Sequence, residues 1–151
     1  MIRQLVIIVA RLSNKTWGQR SFLFESLVCL LLSQLIIYLL PFRRLTRFLN
    51  HPITSRELGA NEREEIHKNV SWAINRVADH LPMKIVCFPR GIAAYYMLRK
   101  RGIPATLYYG VASPPEEGLK AHVWVQDGTV GIVGHHVAGE YRVLFQCPET
   151  R

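Results

Sequence analysis

The stretch Arg99-Lys100-Arg101-Gly102-Ile103-Pro104-Ala105-Thr106-Leu107-Tyr108-Tyr109-Gly110-Val111 is where this chain changes its period. Positive charge, a glycine and a nearby proline terminate a helix on its N-terminal side. Beyond Pro104, residues 105–111 are rich in Tyr and Leu, 119–126 alternate, 129–133 resume after Asp127-Gly128, and 141–145 add a fourth run. These read as strands of an antiparallel sheet, with Asp127-Gly128 as the two-residue turn of a hairpin. In that register Gln126 faces Thr129 and His122 faces Val133, and residues 113–118 form an exposed connection. Upstream, Ile66, Val70, Ala73, Ile74, Val77, Ala78 and Leu81 recur on one helical face until Pro82, behind a capping-box pattern at Asn61-Glu62-Arg63-Glu64. A second helix carries Pro89 in its first turn and Cys87 at its entrance. Helices precede strands, so the class is α+β: N-terminal helices followed by an antiparallel sheet.

Working toward the N-terminus, residues 51–60 turn to Pro, Thr, Ser and Gly and mark a loop. The expected organisation is a hydrophobic and basic helical region over 1–50, a loop over 51–60, and a core over 61–151. Ser21–Leu40 is nearly long enough as a helix to cross a bilayer. Ser21, Glu25, Ser26 and Ser33 share one sector of it, the pattern of a helix that buries most of its circumference, and a packed helix is the preferred reading. Pro41 closes it, and Arg43, Arg44 and Arg47 follow. Residues 21–47 are thus the candidate for peripheral membrane contact. Residues 5–10 resemble the core of a signal peptide but are too short and lack a cleavage site, so a cytoplasmic chain is expected.

The chain has 151 residues, 49% of them hydrophobic and 20% charged, which excludes overall disorder and suits one domain. Its net charge of +8 is uneven, because residues 1–50 hold seven basic groups and one acid. No RNA- or DNA-binding module accompanies that charge, and nucleic acid is not an expected partner. Three cysteines, at 29, 87 and 147, make no disulfide framework and point to a reducing compartment.

Chemistry concentrates at two positions. A thiol reacts as thiolate, which the free amides at a helix N-terminus favour, and Cys87 has that location. Cys29 and Cys147 read as small core residues. In Leu119-Lys120-Ala121-His122-Val123-Trp124-Val125-Gln126 the aliphatic set faces one side and leaves His122 beside Trp124 on the other, a candidate base on a rigid strand. The group that orients its imidazole is sought near the hairpin. Asp127 lies about 17 Å along the strand and is set aside. His135 is the candidate on the same face, a backbone carbonyl is the alternative, and Glu140 is a looser one. His122 with His135-His136 lacks metal-ligand spacing, and no metal or cofactor is expected.

Three blocks in order, Cys87-Phe88-Pro89-Arg90, then Arg101-Gly102-Ile103-Pro104, then Ala121-His122-Val123-Trp124-Val125, resemble the leader-peptidase domain of lasso-peptide maturation proteins. That family is a branch of the transglutaminase-like cysteine proteases, with a papain-like or transglutaminase-like core. The resemblance implies that Cys87 is the nucleophile and His122 the general base. The implied reaction removes the leader from a ribosomally made precursor carrying Thr at the penultimate leader position, so that a separate cyclase closes the ring. Implied partners are the precursor's leader region, a separate leader-recognition protein and the lasso cyclase. The family's catalytic Asp has no counterpart where Val133-Gly134-His135 stands. Two other functions fit the same residues: a silent peptide-binding or membrane-associated scaffold, and acyl transfer to an amine by the same Cys-His pair.

Overall fold

A computed structural model describes residues 17–116 and 118–148; the signal-like stretch at 5–10 lies outside the described residues. Among the described residues four helices come first: α1 (Trp17–Leu39), α2 (Phe42–Leu49), α3 (Ala60–Ala78) and α4 (Cys87–Arg99). Strands β1 (Thr106–Ala112), β2 (Lys120–Asp127), β3 (Val130–Val133) and β4 (Arg142–Cys147) follow, with a 3-10 turn at His135–Glu140 between the last two. The sheet is antiparallel in the order β3-β2-β1-β4. The expected α+β class is therefore the observed one.

Helix α4 is the centre of the core. Ile92, Ala93, Ala94, Met97 and Leu98 are buried between the sheet and the other helices, and Tyr95 donates its hydroxyl to the Leu49 carbonyl at 2.7 Å. The helix ends as its sequence requires. Gly102, at φ 77°, donates to Arg99 O and Ile103 donates to Leu98 O, the paired bonds that close a helix through a left-handed glycine. Gly91 sets the distance to the sheet: a Cβ there would stand 2.5 Å from Val123 Cγ1. The close approach lies one helical turn beyond Cys87 and holds that end of α4 against β2.

Two local expectations change. Helix α3 starts one residue before the capping-box pattern, with Gly59 as its N-cap and no side-chain cap, so Asn61 is already helical. The hairpin turn is Gly128-Thr129, because Asp127 pairs with Val130 and Gly128 takes the positive φ of 57°. A glycine at the first central position suits a type II′ turn. The shift leaves Asp127 at the end of β2, and a bulge between Val125 and Gln126 brings Val133 opposite Val125 instead of His122.

Helix α1 packs one face on α3 and α4, and that face is the more polar one. Ser26, Cys29, Leu30 and Ser33 are buried, and the Ser26 hydroxyl lies 2.9 Å from Leu23 O and 3.3 Å from Ala73 O. The small serines allow close helix packing, while Phe24, Leu31, Leu32, Leu35 and Leu39 face outward. Of the serine sector, Ser26 and Ser33 thus face inward, while Ser21 is exposed. Glu25 ties α1 to the end of α4 through Arg101 at 2.5 Å and Lys100 at 3.4 Å. Burial opposes the Glu25 charge, but Arg101, with Lys100, outweighs it and holds the carboxyl below the usual range. By length and composition α1 is apolar enough to cross a membrane, yet it is part of this packed helical layer.

Candidate active site

Cys87 opens α4, with Val86 as the N-cap, and is half-buried. Arg90 follows one turn later on the same side of the helix, and three acceptors hold its guanidinium. Nε donates to Ile85 O at 3.1 Å, Nη2 to Asp79 Oδ1 at 2.9 Å, and Nη1 to Asn75 Oδ1 at 3.4 Å. Asn75 comes from α3, so this arginine joins the end of that helix to the start of α4.

His122 approaches from the sheet. Val123 and Val125 point into the core, and His122 lies on the other face with Trp124, as the alternation predicts. Its ring lies 6.2 Å from the Trp124 ring and 5.1 Å from the Tyr141 ring, centroid to centroid. Strand β3 pairs only with Val125–Asp127, so the edge of β2 beside His122 is left to the turn at Gly134. Gly134, at φ 71°, brings its carbonyl 2.8 Å from His122 Nε2. A carbonyl oxygen only accepts, so Nε2 carries a proton, and in the neutral ring Nδ1 is the atom with the lone pair.

Cys87 and His122, 35 positions apart in sequence, line one cavity of about 210 Å³. Asn75, Arg90, Gly134 and His136 share its wall with Val123 and Val133. A larger, open depression of about 490 Å³ lies between the β1–β2 connection and β4, and neither Cys87 nor His122 reaches it. His135, the residue sought as the orienting group, is exposed and lies over Gly131, where an added Cβ would meet its Cγ at 2.3 Å. The group facing His122 Nε2 is the Gly134 carbonyl, and it is the neighbouring His136 that lines the cavity. The reason is the shortened hairpin: β3 ends at Val133, and the 3-10 turn carries His135 away from the expected register.

Asp127, Cys29 and Cys147 do not line this cavity. Asp127 receives Arg63 Nε and Nη2, each at 2.6 Å, and His67 Nε2 at 2.8 Å. Burial works against the Asp127 charge, but Arg63 and then His67 outweigh it and hold the carboxyl below the ordinary aspartate value. This buried cluster fastens β2 to α3 on the side of the sheet away from His122. Burial, followed by the charge of Glu25, pushes the Cys29 thiol up to about 11, which makes it inert, and Cys147 is fully buried. Among the described residues no three His, Cys, Asp or Glu side chains converge as metal ligands.

Arg90 was visible in the sequence as part of the Cys-x-Pro-Arg block, although its partners were not. Asn75 carried no signal, because one polar residue beside an apolar helical stripe is ordinary. Gly134 was legible only as a strand terminator.

A helix-borne thiol and a strand-borne imidazole around one cavity, on helices packed against an antiparallel sheet, define a cysteine-enzyme arrangement. Residues 25–146 match the family model of the transglutaminase-like superfamily, and the chain belongs to that superfamily. Its members carry cysteine protease or transferase activity. Comparison with curated proteins and with solved structures gives no match.

Proposed function

We propose that this protein is a cysteine peptidase that removes the leader from a ribosomally made lasso-peptide precursor, with Cys87 as nucleophile and His122 as general base. The observation that carries the reading is the shared cavity, in which His122 has Nε2 committed to the Gly134 carbonyl and Nδ1 left as the base. The three sequence blocks around Cys87, Gly102 and His122 support the narrower substrate.

In this mechanism the Cys87 thiol gives its proton to His122 Nδ1, and the sulfur attacks the scissile carbonyl carbon. The carbonyl π pair moves to oxygen, where amides at the start of α4 stabilise it. Collapse breaks the C–N bond, and the departing amine takes the proton from Nδ1. Water then cleaves the thioester with His122 as base, releasing the leader carboxylate and the free thiol. The same acyl-enzyme transfers its acyl group if an amine replaces water, and membership of a superfamily that includes transferases keeps that second reading in view.

The peptidase acts with a separate leader-recognition protein and hands its product to a cyclase. The outward face of α1, with the exposed Arg43, Arg44 and Arg47 of α2, supplies peripheral contact with an anionic lipid surface. Incubation with a leader-core precursor and its recognition protein, followed by mass analysis, tests the activity. The expected result is loss of the leader with wild type and an intact precursor with Cys87→Ala. An intact precursor with wild type, under conditions where binding is shown, rejects the peptidase.

A further inference from the structure

We infer that the side-chain amide of Asn75 is a catalytic oxyanion donor of this site and that Arg90 is the residue positioning it. The inference rests on the cysteine-enzyme reading above and adds to it a group from a different helix.

The argument starts from what an arginine is able to do. A guanidinium has five N–H donors and no acceptor, so the Asn75 atom facing Arg90 Nη1 at 3.4 Å must be the carbonyl oxygen. The amide orientation is thereby decided by chemistry, and what Asn75 has left to offer is its NH2 group. Arg90 is itself held by Ile85 O and Asp79 Oδ1, so the fork facing Asn75 is fixed before any substrate arrives. Asn75, Arg90 and Cys87 line the same cavity, opposite the strand that brings His122.

An attack by sulfur on a carbonyl carbon moves an electron pair onto the carbonyl oxygen. The amides at the start of α4 are the first donors to that oxygen, but this stretch is short of them, because Pro89 has no N–H. A neutral, preoriented N–H beside the thiol supplies what is missing. A donor of this kind lowers the barrier only for steps that place charge on oxygen, and removing one costs on the order of 100-fold in rate. It contributes nothing to a displacement at saturated carbon, where no oxyanion forms.

Two probes that do not depend on the natural substrate separate these cases. With p-nitrophenyl acetate, the Cys87 sulfur bonds to the acetyl carbon and charge collects on oxygen. Collapse then expels p-nitrophenolate and leaves acetyl-Cys87. With iodoacetamide, the sulfur bonds to the methylene carbon and iodide leaves with the bonding pair. Asn75→Ala and Asn75→Leu are compared with wild type by both rates, the second variant keeping the bulk and the neutral charge while losing the donor. The expected result is acylation of Cys87 slowed about 100-fold in both variants, with alkylation within a few-fold of wild type. Arg90→Lys, which loses the planar fork, is expected to slow acylation more than alkylation, in the same direction and less severely.

Acylation as fast in the Asn75 variants as in wild type overturns the assignment. So does a parallel fall in acylation and alkylation, which describes a residue that merely holds the thiol in place. A wild-type Cys87 that acylates no faster than in His122→Ala overturns the cysteine-enzyme reading itself, and the Asn75 assignment falls with it.

Discussion

At the scale of single residues, the position on which His122 depends is a glycine. Gly134 turns the chain out of β3 at φ 71°, a region that costs a side-chain-bearing residue about 1–2 kcal/mol. An added Cβ would also lie 2.6 Å from Val123 O and 3.0 Å from His122 Nε2. Gly134→Ala is therefore expected to lose about 1–2 kcal/mol in denaturant unfolding and to displace the carbonyl that fixes the imidazole tautomer. Iodoacetamide labelling of Cys87 in this variant should approach the rate of His122→Ala. A variant as stable and as reactive as wild type contradicts this account of Gly134. The orienting group is a main-chain oxygen, so no sequence pattern of side chains was able to announce it. The motif around His122 was legible because strand alternation placed it beside Trp124 and away from Val123.

Among the elements, the junction of β2 with α3 depends on one buried charge. Asp127 lies under Arg63 and His67, and its carboxyl is held below the ordinary aspartate value of 3.8. A depressed folded-state pKa stabilises the fold fully above the unfolded value, and that contribution disappears as pH falls through the folded value. Wild type should accordingly lose stability more steeply than Asp127→Asn below about pH 4. At neutral pH the Asn variant should be less stable by about 2–3 kcal/mol, since it leaves Arg63 and the buried His67 without their charged acceptor. Urea unfolding of both proteins across pH 2–7 checks this, and parallel pH profiles would remove Asp127 as the cause. The sequence misplaced this residue by one position. Asp-Gly favours a type I′ turn that places the aspartate in the loop, whereas pairing with Arg63 and His67 holds Asp127 in the strand and passes the turn to Gly128-Thr129.

At the scale of the whole molecule, helices α1 and α2 expose both apolar and basic side chains. Trp17, Phe24, Leu31, Leu32, Leu35, Tyr38 and Leu39 of α1 and Phe48 of α2 are exposed, as are Arg43, Arg44 and Arg47 of α2, and Glu25 is paired with Arg101. In the lipid contact proposed above, these apolar side chains enter the headgroup region and the arginines pair with anionic headgroups. The protein is expected to sediment with vesicles containing phosphatidylglycerol and to be released by salt. Charge reversal at Arg43 and Arg44 to Glu should weaken the partition about 10-fold or more, at roughly 1 kcal/mol per basic residue near the surface. Partitioning indifferent to lipid charge, to salt and to that reversal would argue against the lipid assignment.

The order of helices and strands, the helix stop at Gly102 and the alternation that isolates His122 were settled by the amino-acid sequence. Each depends on backbone conformation and side-chain period within a few residues. Tertiary structure decided which face of α1 turns inward, because Ser26 finds on α3 an acceptor, Ala73 O, that a helical wheel does not contain. It also decided that Asp127 belongs to the sheet, that Gly134 O meets His122, and that Asn75 and Arg90 join Cys87. Those outcomes depend on contacts between groups far apart in the chain, such as the close approach of α4 to β2 at Gly91.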